Sequence, residues 1–372
     1  MHKIKNKKLL PLAVLGFFAV VAFLLAEANL LVYVALTNIF YFNSFGSYLL
    51  CLSLALLSGG FIAMMIVEKY YSNRVIRFFY IITSVWMGMF VYFFIGAVLY
   101  LFVNMFIGLP NIIGILFFVL ALFVSIYGII HGRKIFVKNI EVALPKIPDE
   151  WKGKKIVMMS DVHLNSIWGA KFSEKIAKIS NSLSPDAVFV VGDLYDGTFT
   201  PDPLQVAKPL GSIVAPKGKF FVLGNHEQFS DPSIFLKAVS EIGFNVLNDS
   251  MVLVDGLQIV GVEYLINSNK NSFQKTLENL KIDKEKTSIL LKHEPKDLDV
   301  AYDAGISFQV SGHTHDGQQW PFNYMTDIVY KGFGYGLKKY DSMHVYVSSG
   351  VGGWGPPIRV GSDYEIVCIT LV

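Results

Sequence analysis

The sequence predicts an α/β domain with a layered sheet, preceded by an all-α domain of four membrane-spanning helices. Three observations lead to this fold class. The 372-residue chain is 53% hydrophobic and 16% charged, whereas an ordinary soluble domain is about a quarter charged. Long charge-free runs are confined to residues 1–132. Further along, short apolar runs alternate with segments of helical spacing, which is typical of an α/β domain.

The first domain, residues 1–132, contains the candidate spans. A bilayer core requires roughly 20 apolar residues per helix, and charge is absent from residues 9–26, 28–67 and 78–132. The third run is long enough for two helices, with a break at residues 108–111. We therefore expect helices at about 9–33, 46–67, 78–103 and 111–131. A signal peptide also fits the first run, but no small-residue cleavage site stands out, which favours an anchor.

Basic residues predict the orientation of these spans. Residues 1–138 carry ten Lys and Arg against two acidic residues, a formal charge of +8, and the rest carries 22 against 27, a formal charge of −5. Lys and Arg mark the cytoplasmic side of short loops, and they occur before residue 9, at 69–77 and at 133–134 but not at the two other turns. We therefore expect a multi-pass protein of the cell (inner) membrane whose second domain faces the cytoplasm.

The soluble part follows in order along the chain. Residues 133–154 are expected to form a linker with a first strand at 134–143, and residues 155–372 the second domain. Its buried strands are predicted at 155–159, 187–191, 220–223, 257–262, 288–291 and 306–310, and its helices include 171–183 and 232–242. This alternation of strands and helices predicts a layered sheet.

Polar motifs follow five of these strands. They are Asp161-Val162-His163, Gly192-Asp193 with Asp196, Gly224-Asn225-His226-Glu227, His293, and Gly312-His313-Thr314-His315. Each motif alone is more often a turn or a helix cap, but five of the eight histidines in the chain fall in this set. Ligands bind at the carboxyl ends of strands in open α/β sheets. If the strands are neighbours, these side chains converge on one site.

The order of these motifs resembles the calcineurin-like metallophosphoesterase superfamily over residues 153–372. Asn165, Gln318 and residues 352–356 are similar to a bacterial membrane-anchored branch, which includes proteins resembling UDP-2,3-diacylglucosamine pyrophosphatases. One departure is Asp316, where the branch commonly has Gly. The resemblance implies an α/β (α+β) sandwich of αββα layers.

The resemblance also implies a pair of divalent metal ions, bridged by Asp193. One ion would take Asp161, His163, Asp193 and His315, and the other Asp193, Asn225, His293 and His313. Carboxylate and imidazole ligands suit Mn, Fe, Zn or Co, and their softness does not choose among these metals. A hydroxide activated by the metals would attack a phosphomonoester, phosphodiester or pyrophosphate.

Three further residues have expected roles in the reaction. His226 would donate a proton to the leaving oxygen, and Asp196 would orient it through its other ring nitrogen. Glu227 is expected to stabilise the turn in which it lies. Arg359 is the only arginine beyond residue 138, so no arginine clamp for phosphate is evident and the metals must neutralise most of the charge.

The substrate and the partners are less constrained. A metal site tethered to a lipid bilayer suggests a lipid-linked or membrane-proximal phosphoester. Five aromatic residues either line a groove for an apolar tail or pack a folded loop: Trp320, Phe322, Phe333, Tyr335 and Trp354. The formal charge of −5 argues against nucleic acid, whose binding is chiefly electrostatic. The sequence leaves the oligomeric state open.

Two alternatives to this hydrolase remain. A phosphoprotein phosphatase is disfavoured because no arginine pair is present to bind a phosphate. A non-catalytic metal-binding scaffold that regulates the membrane domain, as a sensor or small transporter, is disfavoured because none of the seven ligands is missing. Glu27 is the only acidic residue within an apolar segment, and we expect it near the outer end of the first helix, which gives transport little support.

Overall fold

The chain forms two compact units, Met1–Gly128 and Ile129–Val372. The structure, a computed structural model, describes residues 9–71, 73–165, 167–197, 200 and 202–372. The lysines before residue 9, which contribute to the predicted orientation, lie outside the described residues.

Four long helices account for the apolar N-terminal part of the chain: α1 (Leu9–Ile39), α2 (Ser44–Tyr70), α3 (Arg74–Ile107) and α4 (Asn111–His131). All four are long and apolar enough to cross a membrane. The side chains of Asn43 and Asn73 accept hydrogen bonds from backbone N–H groups in the first turns of α2 and α3. We expected the first helix to end at about residue 33, whereas α1 continues to Ile39. Glu27 therefore lies well inside α1 rather than near its end.

Polar side chains join three of these helices. The Ser58 hydroxyl donates to the Asn29 side-chain oxygen over 3.0 Å, and the Trp86 indole donates to the Ser58 hydroxyl over 3.1 Å. These residues lie on α2, α1 and α3, in that order. Such interhelical hydrogen bonds, together with close packing, stabilise helix association where apolar burial provides no driving force.

The second unit contains twelve strands and eight complete helices in the described residues. The strands are β1 (Ile135–Val142), β2 (Lys155–Met159), β3 (Ala187–Val191), β4 (Lys219–Val222), β5 (Asn245–Val246), β6 (Ser250–Val254), β7 (Leu257–Gly261), β8 (Ser288–Leu291), β9 (Phe308–Ser311), β10 (Gly336–Tyr340), β11 (Met343–Val347) and β12 (Tyr364–Leu371). The helices are α5 (Ala170–Ser182), α6 (Pro203–Ala207), α7 (Asn225–Gln228), α8 (Pro232–Glu241), α9 (Tyr264–Asn267), α10 (Lys270–Leu280), α11 (Leu298–Asp303) and α12 (Phe322–Val329).

The strands form two six-stranded sheets, in the orders β1-β12-β2-β3-β4-β5 and β10-β11-β9-β8-β7-β6. Alternate residues of the strands pack on opposite faces, because side chains of a strand alternate in direction. Ile156 and Phe189 of the first sheet pack with Ile289 of the second, which places a core between the sheets. On the outer faces, Val157 packs with Ile176 of α5, and Leu290 with Leu277 of α10. The αββα sandwich implied by the resemblance is confirmed.

The two sheets bring the polar motifs together in a way that a single sheet would not. In the first sheet β2, β3 and β4 are parallel neighbours, and in the second sheet β8 and β9 are parallel neighbours. The five strands are therefore neighbours within each sheet, but they belong to two sheets. Their carboxyl ends meet across the top of the sandwich. The last of these strands begins at Phe308 rather than at residue 306, after the left-handed turn at Gly305.

Candidate metal centre

The loops after these strands hold several non-glycine residues in the left-handed backbone region. The φ angles are 51° at Asp161, 51° at His163, 52° at Asp193, 70° at His313 and 52° at His315. This region is sparsely populated by residues with a Cβ, and such strain persists only where the surrounding structure enforces it. Each of these residues was predicted to be a metal ligand, so the sharpest backbone turns coincide with the candidate centre.

Two glycines allow the loops to approach each other. A Cβ atom on Gly224 would lie 2.1 Å from Oδ1 of Asp193, and one on Gly312 would lie 2.3 Å from Oδ2 of Asp161. Both distances are far below van der Waals contact. Glycine is therefore required before Asn225 and before His313 so that the carboxylates can lie against the neighbouring strand ends.

One cluster consists of Asp161, His163 and His315. The Nε2 atoms of His163 and His315 are 3.1 Å apart, and Nε2 of His315 lies 3.5 Å from Oδ1 of Asp161. Asp161 and His163 are fully buried. The three possible ligand atoms lie within 4.8 Å of one another, as required for a shared metal ion.

A second cluster consists of Asp193, His293 and His313, with Asn225 beside it. Nε2 of His293 lies 3.2 Å from Oδ2 of Asp193 and 3.3 Å from Nδ1 of His313. The side-chain oxygen of Asn225 lies 3.1 Å from Nε2 of His293 and 2.9 Å from Nδ1 of His313. The structure thus brings all seven predicted ligands into two adjoining groups.

Oδ2 of Asp193 lies between the two groups. It is 3.2 Å from Nε2 of His293 and 3.9 Å from Nε2 of His163. Carboxylate, imidazole and amide oxygen donors are the ligands that divalent Mn, Fe, Co and Zn accept. The crowding of these donors in a buried space fits a pair of divalent cations, with Asp193 as the shared ligand.

His226 and Asp196 form a pair beside the first cluster. Nδ1 of His226 lies 2.9 Å from Oδ1 of Asp196, whose Oδ2 accepts a hydrogen bond of 3.0 Å from the Asn165 amide. Burial opposes charge on His226, but the hydrogen bond to Asp196 and the charge of Asp193 outweigh it and raise the pKa of His226 to about 9. The predicted contact between Asp196 and the second nitrogen of His226 is present.

Asp196 also lies near His163. Its Oδ1 is 3.4 Å from Nδ1 of His163, and His163, Asp196 and His226 form a third group with ligand atoms within 4.8 Å of one another. Burial of Asp196 would raise its pKa, but its contacts with these two histidines lower the pKa below the ordinary value. Asp196 is therefore an anion held between two imidazoles.

Glu227 is fully buried beneath the centre. Its carboxylate accepts hydrogen bonds from the backbone N–H groups of Asp193, Tyr195 and Gly224, over 3.1, 2.9 and 2.9 Å. These bonds join the loop after β3 to the loop after β4. This arrangement agrees with the expectation that Glu227 stabilises its turn.

Sequence reasoning missed two residues that support the histidines. Arg359 is fully buried and donates hydrogen bonds to the backbone oxygens of His315, Ser349 and Gly352, over 2.8, 2.8 and 2.7 Å. Glu294 is buried, and its Oε1 lies 3.8 Å from Nε2 of His313. The signals available in the sequence were that Arg359 is the only arginine in its half of the chain and that Glu294 follows a predicted ligand.

The five aromatic residues that could line a groove or pack a folded loop divide into exposed and packed side chains. Trp354 is 54% exposed, and its ring centroid lies 6.3 Å from that of His226. Trp320 and Phe322 are also exposed. Phe333 packs against Tyr340, and the Tyr335 hydroxyl donates to Glu365 over 2.9 Å, which is the packing alternative.

The residues that carried the resemblance to the membrane-anchored branch have structural contacts. The Gln318 side chain donates to the backbone oxygens of Trp354 and Pro356, over 3.2 and 2.8 Å, and so fixes the loop that carries Trp354.

Asp316, the one departure from the branch, directly follows His315 and has a φ of 48°. Burial raises the pKa of Asp316 to about 7, against the opposing charge of Arg359.

The chain is similar to several known proteins. A family model described as calcineurin-like phosphoesterase matches residues 154–317. The chain is 34% identical to an uncharacterized metallophosphoesterase of Campylobacter jejuni over 63% of this chain and 63% of that protein. It is 30% identical to an uncharacterized metallophosphoesterase of Aquifex aeolicus over 68% and 97%. It is 27% identical to a transmembrane protein with metallophosphoesterase domain of Danio rerio over 69% and 62%.

Proposed function

The chain belongs to the calcineurin-like metallophosphoesterase family, and from that premise we propose that it is a multi-pass membrane hydrolase of phosphomonoester, phosphodiester or pyrophosphate bonds. The observation that carries this proposal is the position of Asp193, whose Oδ2 lies within 4 Å of a histidine from each ligand cluster. A carboxylate that lies between two buried ligand clusters can bridge two cations. The chain spans 63% of the Campylobacter relative, and the proposal concerns the activity of this chain alone.

The proposed ligand sets follow the two clusters. Asp161, His163 and His315 would hold one cation, His293, His313 and Asn225 would hold the other, and Asp193 would contribute to both sites. Divalent cations bound there would polarise a phosphoryl group and make water nucleophilic at neutral pH. The metal identity within Mn, Fe, Zn and Co is open, because all four accept this donor set.

The protein itself supplies the proton and the orientation. His226 donates a proton to the leaving oxygen, and Asp196 orients the imidazole through the 2.9 Å contact with Nδ1. Glu227 and Arg359 keep the loops in position but do not contact the substrate. Because Arg359 is fully buried, it cannot clamp a phosphate, and this gives a phosphoprotein phosphatase no support.

The proposed partners are a phosphoester substrate and the lipid bilayer, and the formal charge of −5 argues against nucleic acid. The four long apolar helices support a multi-pass membrane location. We further propose that the protein resides in the cell (inner) membrane and that its second unit faces the cytoplasm, on the distribution of basic residues.

The test is a metal-dependent assay of the purified full-length protein. We expect hydrolysis of bis-p-nitrophenyl phosphate with added Mn, loss of hydrolysis after chelation, and near-complete loss in Asp193→Asn. The matched control is Asp202→Asn, which changes an exposed carboxylate that caps α6. Equal activity in the parent and in Asp193→Asn would refute the two-metal proposal. A folded Asp193→Asn variant that still binds two Mn ions would also contradict it.

A further inference from the structure

Helix α12 exposes its apolar side chains to an unusual degree. None of its eight side chains is buried, although five of them are apolar or aromatic. Ile328 is 78% exposed and Val329 is 62% exposed. A short amphipathic helix of a soluble domain normally packs its apolar face on the core. An apolar face without such packing indicates an interaction surface.

Both ends of α12 are fixed at the candidate metal centre. At its start, a Cβ on Gly317 would lie 2.3 Å from the backbone nitrogen of Asn323, so the helix packs directly on the loop after His315. At its end, the Tyr330 hydroxyl donates to Glu294 over 3.2 Å, and its ring centroid lies 6.4 Å from that of His313. The exposed face of α12 therefore borders the site.

Other exposed apolar residues border the site on different loops. The ring centroid of Phe229 lies 5.5 Å from that of His226. Trp354 also packs against His226. Leu265 and Ile266 directly follow Tyr264, whose ring centroid lies 5.7 Å from that of His313. The six residues that form this apolar collar are between 53% and 78% exposed: Phe229, Leu265, Ile266, Ile328, Val329 and Trp354.

The topology of the first sheet brings the entry of the chain to the same edge as the site. Ile135, the first residue of β1, pairs with Tyr364, the first residue of β12. β12 runs antiparallel to β2, and Val367 pairs with Met158 near the end of β2. The start of β1 and the end of β2, which leads into Asp161, therefore lie at one edge of the sheet. The segment directly before β1 is the end of α4, a helix long and apolar enough to span a membrane.

We propose that the apolar collar docks on the lipid bilayer and that the metal centre accepts amphiphilic phosphoesters from that surface. A protein partner or a second copy that covered the collar would also cover the mouth of the site. A lipid surface can cover the collar and supply the substrate at once, since amphiphiles diffuse within it. The chain itself provides the attachment to that surface. The inference that the collar docks on the bilayer depends only on the geometry of the collar. The inference that a phosphoester bond is cleaved there rests on the proposed function.

Docking is tested by labelling the full-length protein in phosphatidylcholine vesicles. In a Cys51→Ser, Cys368→Ala background, an environment-sensitive fluorophore is attached at Ile328→Cys, or at Val214→Cys as the matched control. Val214 is 70% exposed and comes before the start of β4, whereas the site lies beyond the end of that strand. We expect lipid-borne nitroxide to quench the label at position 328 several-fold more than the label at position 214, and aqueous iodide to do the reverse.

Two results would overturn the docking. Equal lipid quenching at both positions would show that the collar does not enter the bilayer. Protection of position 328 from both quenchers would show that protein covers it. Neither result depends on activity, so the docking and the proposed hydrolase can fail separately.

Substrate delivery is tested with two esters and one collar variant. For Ile328→Asp combined with Val329→Asp, we expect kcat/KM on hexadecyl p-nitrophenyl phosphate in vesicles to fall by about tenfold or more, because two apolar side chains no longer leave water. Hydrolysis of soluble bis-p-nitrophenyl phosphate should be unchanged, and Val214→Asp should change neither. An equal loss on both esters, or no loss on either, would contradict delivery from the lipid surface. If the parent cleaves neither ester, the proposed function fails while the labelling result stands.

Discussion

At the scale of single residues, the chemistry of each histidine depends on the partner of its second ring nitrogen. Nδ1 of His293 lies 2.8 Å from the backbone oxygen of Val191, to which it donates, so Nε2 presents its lone pair to the cluster. His313 turns Nδ1 to the cluster and Nε2 toward Glu294, 3.8 Å away. Nδ1 of His226 instead lies 2.9 Å from Oδ1 of Asp196. Such partners fix the tautomer and orientation of an imidazole.

His226→Ala tests the role of the proton donor. We expect hydrolysis of an alkyl phosphodiester to fall by about 10²–10⁴-fold, which is the usual contribution of general acid catalysis. Hydrolysis of a p-nitrophenyl ester should fall much less, because p-nitrophenolate leaves without protonation. The measurement is kcat for both ester types in the parent, in His226→Ala and in the control His344→Ala, at the opposite end of β11 from the site. Equal losses for both esters would assign His226 a structural role.

The residues of the candidate site were easier to predict from the sequence than the rest of the molecule. Asp161, His293 and the other proposed ligands each follow a strand in a short motif. Arg359 and Glu294 could not be predicted in the same way. Their roles depend on burial beneath loops from distant segments. Neither the isolation of Arg359 in its half of the chain nor the position of Glu294 after His293 reveals that burial.

At the scale of elements, the centre depends on abrupt transitions from strand to loop. β2, β3 and β4 end side by side, and the next residues turn into the left-handed region at Asp161 and Asp193. The bounds of β2, β3 and β8 could be predicted because apolar runs of buried strands stop where the polar motifs begin. The division of the strands between two sheets could not, since strand pairing depends on contacts that hydrophobic periodicity does not encode.

Gly224→Ala tests the close approach between two of these loops. The added Cβ would lie 2.1 Å from Oδ1 of Asp193, so we expect Asp193 to shift and metal-dependent turnover to be lost. Gly169→Ala is the matched control. Both glycines have extended backbones with negative φ directly before a helix, but a Cβ on Gly169 lies 3.8 Å from its nearest neighbour. Turnover and thermal melting are measured for both variants. A fully active Gly224→Ala would show that the loops can separate without cost to the site.

At the scale of the whole molecule, composition separates a membrane part from a soluble part that lacks an exposed arginine clamp. The charge-free runs predict the four long helices well, because a membrane span leaves a signal in every residue of its length. The apolar collar left no such signal. Its six residues come from four short segments, and only the fold brings them around one site. The same reason explains why the sequence left both a groove and loop packing open for the five aromatic residues. In the fold Trp354 borders His226, whereas Phe333 and Tyr335 pack into the fold.

Orientation in the membrane is the prediction that belongs to the molecule as a whole. The turns between α1 and α2 and between α3 and α4 lack Lys and Arg, whereas Arg74 and Arg77 lie in the first turn of α3, beside the loop between α2 and α3. We expect a cytoplasm-dependent reporter fused after Val372 to be active and a periplasm-dependent reporter there to be silent. Fusions inserted at Tyr41 or at Leu109 serve as matched controls and should give the opposite result. A periplasm-active reporter after Val372 would place the metal centre outside the cytoplasm, where a substrate would have to come from the outer leaflet.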